Sequence, residues 1–222
     1  MKIKGIIDED FVNYKKPAMY IAFPNCNFKC DIECGQAVCQ NSSLVNSPEI
    51  EIRCDEVVKR YLNNPIAKAL ICAGLEPFDS WLDLQYLIMR FRYYSSDEVV
   101  IYTGYKEEEV QDKIEWLELY SPVIVKFGRF IPNNEPHYDK ILGINLASDN
   151  QYAKEIKMNK RYVLTVNPDK EEVARIREAI KENDGYCPCQ LEKTERTKCV
   201  CKNFTESDSE WCHCGLYQKK FV

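Results

Sequence analysis

The 222-residue chain lacks several features that would assign it to a common class of protein. No apolar run approaches the ~20 residues that a membrane-spanning helix needs. The opening segment, MKIKGIIDEDFVNYKK, has no uninterrupted apolar stretch of the signal-peptide kind. Basic residues form no stripe, and the net charge is −5, which argues against a nucleic-acid backbone as partner. We therefore expect a globular cytoplasmic protein with neither membrane nor nucleic acid as a partner.

Cysteine, in contrast, is abundant, with twelve residues in the chain. A reducing compartment disfavours structural disulfides, so clustered cysteines there more often bind metal or carry out redox chemistry. Cys54 and Cys72 stand alone and are expected to be small buried side chains. The others form an N-terminal block of Cys26, Cys30, Cys34 and Cys39, and a C-terminal block of Cys187, Cys189, Cys199, Cys201, Cys212 and Cys214.

Between the two blocks, short apolar segments alternate with segments of helical spacing. Strands are predicted at residues 18–23, 67–74, 98–104 and 122–128, and helices at residues 53–64, 81–94 and 106–120. This alternation predicts an α/β fold with a parallel sheet. Ligands of such sheets bind beyond the carboxyl ends of the strands. The first cysteine block and the segment GLEP, residues 74–77, are both expected there.

One more helix is predicted over residues 167–185, NPDKEEVARIREAIKENDG. Asn167 or Asp169 can cap its start, Pro168 suits its first turn, and Gly185 suits its end. This helix leads directly into the C-terminal cysteine block. We therefore predict two domains, residues 1–159 and residues 160–222.

The C-terminal block contains three Cys-x-Cys pairs, and their number limits what it can bind. A structural zinc ion takes four ligands, usually from more widely spaced Cys-x₂₋₄-Cys pairs. A [4Fe-4S] cluster also takes four thiolates. Such a cluster leaves two of the six cysteines free, and two thiols beside an electron reservoir can form a redox-active disulfide.

The segments CPC, KCVC and WCHCGLY, with the helix before them, resemble the catalytic chain of ferredoxin:thioredoxin reductase. The resemblance implies a small, mainly α iron–sulfur domain in which Cys189 and Cys214 form the active disulfide and His213 transfers a proton. It also implies a [4Fe-4S] cluster held by Cys187, Cys199, Cys201 and Cys212. The middle pair departs from the family because it is Cys-Val-Cys, and the loop before it is shorter.

In the N-terminal block, the spacing Cys26-x₃-Cys30 resembles the cluster motif of radical S-adenosylmethionine (SAM) enzymes. Three thiolates in that family leave one iron open to bind the amine and carboxylate of SAM. An electron from the cluster then cleaves the sulfonium and gives a 5′-deoxyadenosyl radical. The usual motif is Cys-x₃-Cys-x₂-Cys, so the third ligand here is either Cys34 or Cys39. Cys39 is favoured because CQN is similar to the Cys-aromatic-Asn of small activases.

Two further stretches carry the same resemblance. CAGLEP resembles the Gly-Gly-Glu-Pro motif, which implies that Glu76 binds the SAM amine, with Gly74 and Pro77 beside the cofactor. VVIYTGYKEEEV and VIVKFGRFI resemble the activating enzymes of anaerobic ribonucleotide reductases. The resemblance implies a partial (β/α) barrel of radical SAM type, a second [4Fe-4S] cluster, and SAM as cofactor. It also implies an anaerobic ribonucleotide reductase, a glycyl radical enzyme, as partner.

The combined prediction is an oxidoreductase that joins a radical SAM activase to a disulfide-reductase-like module. The second module would exchange electrons with ferredoxin, flavodoxin or a thioredoxin-like protein. One alternative is a ferredoxin-dependent disulfide reductase whose N-terminal domain only docks a partner or admits electrons, and in which Glu76 would be dispensable. Another is a zinc-stabilised binding protein, which would be colourless and free of acid-labile sulfide.

Overall fold

The structure, a computed structural model, describes residues 1–157 and 162–221. These residues form two compact units, residues 1–157 and residues 162–221. The predicted domain boundary between residues 159 and 160 lies outside the described residues. Within the two described ranges, no helix is both long and apolar enough to cross a membrane.

A six-stranded mixed sheet forms the centre of the first unit. Four parallel strands occupy its middle and are neighbours in chain order: β3 (Ala18–Phe23), β5 (Ala69–Gly74), β6 (Glu98–Tyr102) and β7 (Val123–Phe127). Antiparallel strands form the two edges, β2 (Gly5–Asp10) beside β3 and β10 (Tyr152–Ile156) beside β7. Two short antiparallel pairs lie outside the sheet: β1 (Lys2–Ile3) with β4 (Ile50–Glu51), and β8 (His137–Asp139) with β9 (Ile144–Leu146).

Helices cover one face of this sheet, and alternate residues of each inner strand point toward them. In β5, Leu70 and Cys72 belong to the core on the helical side, whereas Ala69, Ile71 and Ala73 belong to the core on the other side. Each fully buried Leu or Ile side chain contributes about 1.5–3 kcal/mol to folding. The helices are α1 (Lys29–Cys34), in the cysteine block, and α2 (Cys54–Leu62), α3 (Trp81–Tyr94) and α4 (Gln111–Leu117), whose buried residues join the core.

The other face of the sheet is covered by Leu142 and by Leu146 of the β8–β9 hairpin. The sheet is open, with β2 and β10 at its edges, so the first unit is a mixed α/β sheet and not a closed barrel. The partial (β/α) barrel of radical SAM type stays a prediction. Cys54 and Cys72 are both buried, as predicted.

The predicted helix over residues 106–120 is interrupted. Short 3₁₀ turns at Glu107–Glu109 and Glu118–Tyr120 flank α4. The Glu109 carboxylate accepts the backbone N–H of Lys106 at 2.8 Å, which caps the first of these turns. Regular α-helix then begins only after Val110, whose backbone is not helical.

The second unit pairs two antiparallel strands and adds two helices: β11 (Tyr162–Val166), β12 (Tyr217–Phe221), α5 (Lys170–Glu182) and α6 (Lys202–Thr205). Asp169 caps α5, since its Oδ1 accepts the N–H groups of Glu171 at 3.0 Å and Glu172 at 3.1 Å. The prediction that Pro168 lies in the first helical turn is wrong, because that residue precedes the cap. The core of this unit contains Val173, Ile176, Phe204 and Leu216 together with the cysteines Cys201 and Cys212.

Candidate functional site

The carboxyl ends of the four parallel strands meet at one edge of the sheet, where the loops that follow them surround a cavity of about 300 Å³. That volume is at the lower end of the range for small-molecule sites. Three of the four N-terminal cysteines line it, namely Cys26, Cys30 and Cys39. Cys34 ends α1 and is not among the lining residues.

Glu76 lies in the wall of this cavity and is only 4% exposed. Its Oε1 accepts hydrogen bonds from Thr103 Oγ1 at 2.9 Å and from the N–H of Phe78 at 3.1 Å, and its Oε2 accepts the N–H of Gly104 at 2.8 Å. Burial nevertheless raises the pKa of Glu76 to about 7, because removal from water disfavours the charged form. The carboxylate is thus oriented by three donors in a site of low polarity.

Gly74 brings the strand end against a neighbouring backbone. Its φ is +92°, and a Cβ atom there would lie 2.7 Å from Ala22 Cα, so no other residue fits without rearrangement. The carbonyl of Gly74 accepts a hydrogen bond from Asn41 Nδ2 at 2.6 Å. Asn41 belongs to the CQN segment, so this bond links the end of the cysteine block to the GLEP segment. Pro77 is buried behind Glu76, where it begins a 3₁₀ turn, and does not line the cavity.

The three cavity-lining cysteines are held by short-range contacts. Cys26 Sγ accepts the N–H of Phe28 at 3.2 Å. Cys30 lies beside Glu76, since a Cβ atom at Gly104 would be 3.3 Å from Cys30 Sγ and 3.7 Å from Glu76 Oε2. Burial raises the pKa of Cys26 to about 12 and raises that of Cys30 as well.

Asp31, which the sequence analysis did not single out, positions Cys39. Its Oδ1 accepts the N–H of Val38 at 2.8 Å and that of Cys39 at 2.9 Å. The carboxylate therefore folds the chain after α1 back toward Cys30, across the stretch that contains Cys34. Only Cys39 is thereby brought into the cavity wall with Cys26 and Cys30.

Polar contacts hold the start of the cysteine block against the segments that follow β5 and β6. The N–H of Asn27 donates to Asp79 Oδ2 at 2.7 Å, and Asn27 Nδ2 donates to the Tyr105 hydroxyl at 2.6 Å. Lys29 Nζ donates to Glu109 at 3.1 Å, and the Arg129 guanidinium donates to both carboxylate oxygens of Glu109 at 2.8 Å. Arg129 holds the pKa of Glu109 at about 2, so this carboxylate stays charged.

Lys126, on β7, is a second residue that the sequence analysis missed. It lines the cavity, is buried, and donates to the carbonyl of Gly128 at 2.9 Å. Burial lowers its pKa to about 8, while the nearby Cys30 and Glu76 favour its charged form. An ammonium has three N–H donors, and this is the one hydrogen bond from Nζ within the described residues. A buried cation with free donors therefore lies in the same wall as the buried carboxylate.

The remainder of the cavity wall is more aromatic and apolar. It contains Tyr20 and Tyr102 from the sheet and Ile144 and Leu146 from β9. Burial raises the pKa of Tyr20 and that of Tyr102, so both remain neutral phenols near pH 7. The cavity wall thus combines thiols and charged groups with uncharged aromatic and apolar side chains.

In the second unit, the six cysteines lie close to one another. Cys187, Cys201 and Cys212 are buried, and Cys199 is partly buried. Cys199 is near enough to Cys187, Cys201 and Cys212 for their charges to raise its pKa, after the larger effect of burial. Tyr217 donates its N–H to Cys212 Sγ at 3.0 Å. The four predicted cluster ligands are thus all at least partly buried, a property that Cys214 shares and the exposed Cys189 does not.

The two cysteines predicted to form the disulfide differ in environment. Cys189 is exposed, whereas Cys214 is partly buried with its Sγ 3.5 Å from Cys212 Sγ. Burial raises the pKa of Cys214 to about 12. Cys187 is a neighbour of both, because Cys189 and Cys214 each affect its pKa. His213 is exposed between Cys212 and Cys214.

As the side chains stand, no three Cys, His, Asp or Glu residues in the described ranges are close enough to hold a metal ion. All twelve cysteines are free thiols. Thiols affect each other's pKa over several ångströms, whereas a metal–sulfur bond is about 2.3 Å. Cysteines can therefore be close enough to shift each other's pKa and still be too far apart, as they stand, to share a metal ion. Comparison of the chain with protein-family models, curated proteins and solved structures found no match.

Proposed function

We propose that the first unit is a radical SAM activase and that the second is an iron–sulfur module for thiol–disulfide exchange. One observation carries the proposal: three thiols, a buried carboxylate and a buried ammonium line one cavity at the carboxyl edge of the parallel strands. This edge is where α/β sheets bind ligands. A structural zinc site would need the thiols but not the two opposite charges beside them.

Three thiols in one cavity wall are the donors that a three-thiolate cluster with SAM would use. Cys26, Cys30 and Cys39 would hold the cluster, and the two hydrogen bonds from Val38 and Cys39 to Asp31 support the choice of Cys39. When bound, the cluster and SAM supply a carbon-centred radical that abstracts a hydrogen atom. Thiolates are suitable iron–sulfur ligands in any such site.

Glu76 and Lys126 complement a zwitterion. Glu76 would accept hydrogen bonds from the amine of the methionine part, and Lys126 would donate to its carboxylate. Both charges are removed from water, so each interaction is stronger than it would be at the surface. The rings of Tyr20 and Tyr102, which also line the cavity, would contact the less polar part of the ligand.

The proposed substrate is a glycine of an anaerobic ribonucleotide reductase, in the cytoplasm. The sequence supports this part of the proposal, since VVIYTGYKEEEV and VIVKFGRFI resemble the activating enzymes of those reductases. The twelve free thiols suit a reducing compartment.

For the second unit, we propose that Cys187, Cys199, Cys201 and Cys212 hold a [4Fe-4S] cluster. Cys189 and Cys214 would cycle between a disulfide and two thiols, a step that takes two electrons and two protons. Ferredoxin or flavodoxin would supply the electrons, and His213, which is exposed to solvent, would pass the protons. Cys189 suits the sulfur attacked by a thioredoxin-like partner because it is exposed.

The test is anaerobic reconstitution of the full chain with iron and sulfide, followed by counts of iron and of 5′-deoxyadenosine formed from SAM. Two clusters correspond to roughly eight irons per chain. Cys39→Ser should abolish deoxyadenosine, and the matched variant Cys34→Ser should keep it. In the second unit, Cys199→Ser should lower the iron count, whereas Cys189→Ser should keep the iron and lose disulfide reduction.

The outcomes separate the alternatives. A protein that reduces disulfides but leaves SAM intact would be a disulfide reductase with a docking domain. A colourless protein without acid-labile sulfide would be a zinc-stabilised binding protein. Equal deoxyadenosine from Cys39→Ser and wild type would refute the proposed ligand set.

A further inference from the structure

Helix α3 carries apolar side chains on two opposite faces. The inner face packs into the core of the first unit and consists of Leu84, Leu87, Ile88 and Phe91. The other face, here called the outer seam, is exposed and consists of Leu82, Tyr86, Met89 and Tyr93. A helix that only covers a sheet needs one apolar face, so the outer seam requires its own explanation.

The outer seam has the spacing of a helix–helix contact. Its residues are separated by four, three and four positions, the alternation found along coiled-coil seams. At 100° per residue they fall within an arc of about 60° on the side opposite the inner face. The seam therefore forms one continuous stripe along the helix.

The exposed area of the outer seam is a substantial part of what a protein–protein interface buries. Leu82 is 80% exposed, Tyr93 75%, Tyr86 52% and Met89 46%. With roughly 150–250 Å² for a whole aromatic side chain, the exposed parts amount to about 450 Å². This is more than half of the ~800 Å² that each partner of a stable complex buries.

The spacing of the residues in the seam is symmetric about its midpoint, between Leu87 and Ile88. In an antiparallel pair of identical helices, a two-fold axis at that point would place Leu82 opposite Tyr93 of the second copy. The same axis would place Tyr86 opposite Met89 of the second copy. We propose that the outer seam is the interface of a homodimer in which two α3 helices pack antiparallel.

The charges that flank the seam agree with this pairing. Asp83 lies near the start of α3 and Arg90 near its end, so antiparallel packing brings the acidic flank of each copy toward the basic flank of the other. A closed two-fold contact also uses the same patch on both copies, which a single symmetric seam provides.

One end of the seam is already ordered for binding. Arg90 Nε donates to Asp55 at 2.7 Å, and the Arg90 guanidinium lies 5.8 Å from the centre of the Tyr93 ring. Tyr93 also contacts Tyr94 edge to face, with ring centres 4.7 Å apart. Side chains held in this way lose less conformational entropy when they are buried at an interface.

The test is sedimentation equilibrium of the full chain, with the variant Met89→Glu and the control Leu119→Glu. Met89 lies next to the proposed axis, so two introduced carboxylates would face the apolar seam, and the dimer dissociation constant should rise at least tenfold. Leu119 is exposed outside α3, so its variant should dimerise like wild type. Far-ultraviolet circular dichroism checks that both variants keep the fold.

A second variant, Tyr86→Lys with Met89→Glu, tests the orientation. Antiparallel packing would place each lysine opposite a glutamate of the other copy, so this double variant should dimerise more tightly than Met89→Glu alone. Wild type that stays monomeric at all concentrations would overturn the proposal, as would a Met89→Glu protein that dimerises like wild type. An equal loss in the double and single variants would exclude the antiparallel arrangement. None of these readings depends on SAM or on iron.

Discussion

Replacing Glu76 by glutamine should separate binding of SAM from stability. The carboxylate accepts three hydrogen bonds inside the protein, from Thr103, Phe78 and Gly104. Glutamine keeps one oxygen acceptor and the shape of the side chain, but it cannot supply the negative charge proposed to bind the SAM amine. A lost charge-assisted hydrogen bond is worth about 1.5–3 kcal/mol, so SAM should bind about 10- to 150-fold more weakly.

The stability of the variant follows from the pKa of Glu76. Burial raises this pKa from 4.5 to about 7, so the folded protein holds the proton more tightly than the unfolded chain. As the pH rises from 4.5 to 7, Glu76 therefore lowers the free energy of unfolding by about 3 kcal/mol, at 1.36 kcal/mol per unit. Glutamine does not titrate, so Glu76→Gln avoids this fall in the free energy of unfolding. The gain offsets the cost of turning an amide N–H₂ toward the N–H of Gly104.

Glu76→Ala is the contrasting variant. It leaves three donors without their acceptor, at about 1 kcal/mol or more for each. Its free energy of unfolding should fall by about 3 kcal/mol at pH 5, where Glu76 is protonated mainly in the folded state. Glu76→Gln should stay within about 1–2 kcal/mol of wild type at pH 7.

Urea unfolding at pH 5 and pH 7 measures the unfolding free energies of Glu76→Gln and Glu76→Ala. Anaerobic titration with SAM measures the affinity of Glu76→Gln for SAM. SAM affinity within twofold of wild type in Glu76→Gln would refute the assignment of Glu76 as the amine ligand. The unfolding free energy of wild type should fall relative to that of Glu76→Gln as the pH rises from 4.5 to 7. The absence of this fall would refute the reasoning from burial.

Variants of Lys126 and Asp31 test the two residues that the sequence did not reveal. Lys126→Met should weaken SAM binding about 10- to 150-fold, because it loses one charge-assisted hydrogen bond. Binding of decarboxylated SAM should be unchanged. An equal loss of affinity for both ligands in a titration would contradict the proposed contact with the carboxylate. Asp31→Ala should lower the iron retained after anaerobic treatment with a chelator, because Val38 and Cys39 lose their shared acceptor, whereas Asp31→Asn keeps an oxygen there and should behave like wild type. Equal retention in the two Asp31 variants would show that Cys39 does not depend on this bond.

Much of the central sheet and its helices could be predicted from the sequence because they repeat a strong local pattern. Strand β3 and helix α3 have the predicted bounds, 18–23 and 81–94. In both, apolar spacing and burial agree along the whole element. The edge strands β2 and β10 were missed because they carry charged residues, as in GIIDED and YAKEI, and pair on one side only.

The site was predictable where chemistry is carried by residue type and not where it depends on position in space. Cysteine and the GLEP segment are informative in the sequence itself. Lys126 is one of many lysines, and its meaning comes from its burial beside Cys30 and Glu76. Asp31 likewise looks like a surface carboxylate until its bonds to the backbone of Val38 and Cys39 are seen.

The choice between Cys34 and Cys39 shows why spacing alone was insufficient. A motif counted along the chain treats the two as one and six residues away from the usual position, so Cys34 is the closer match. The chain returns to the cavity over this longer spacing because α1 ends at Cys34 and the segment after it turns back on the Asp31 carboxylate. The bond from Asn41 to Gly74 then anchors the returning segment to the strand end that carries Glu76. A longer spacing thus brings Cys39 to the cavity, while Cys34, nearer in sequence, is not part of the wall.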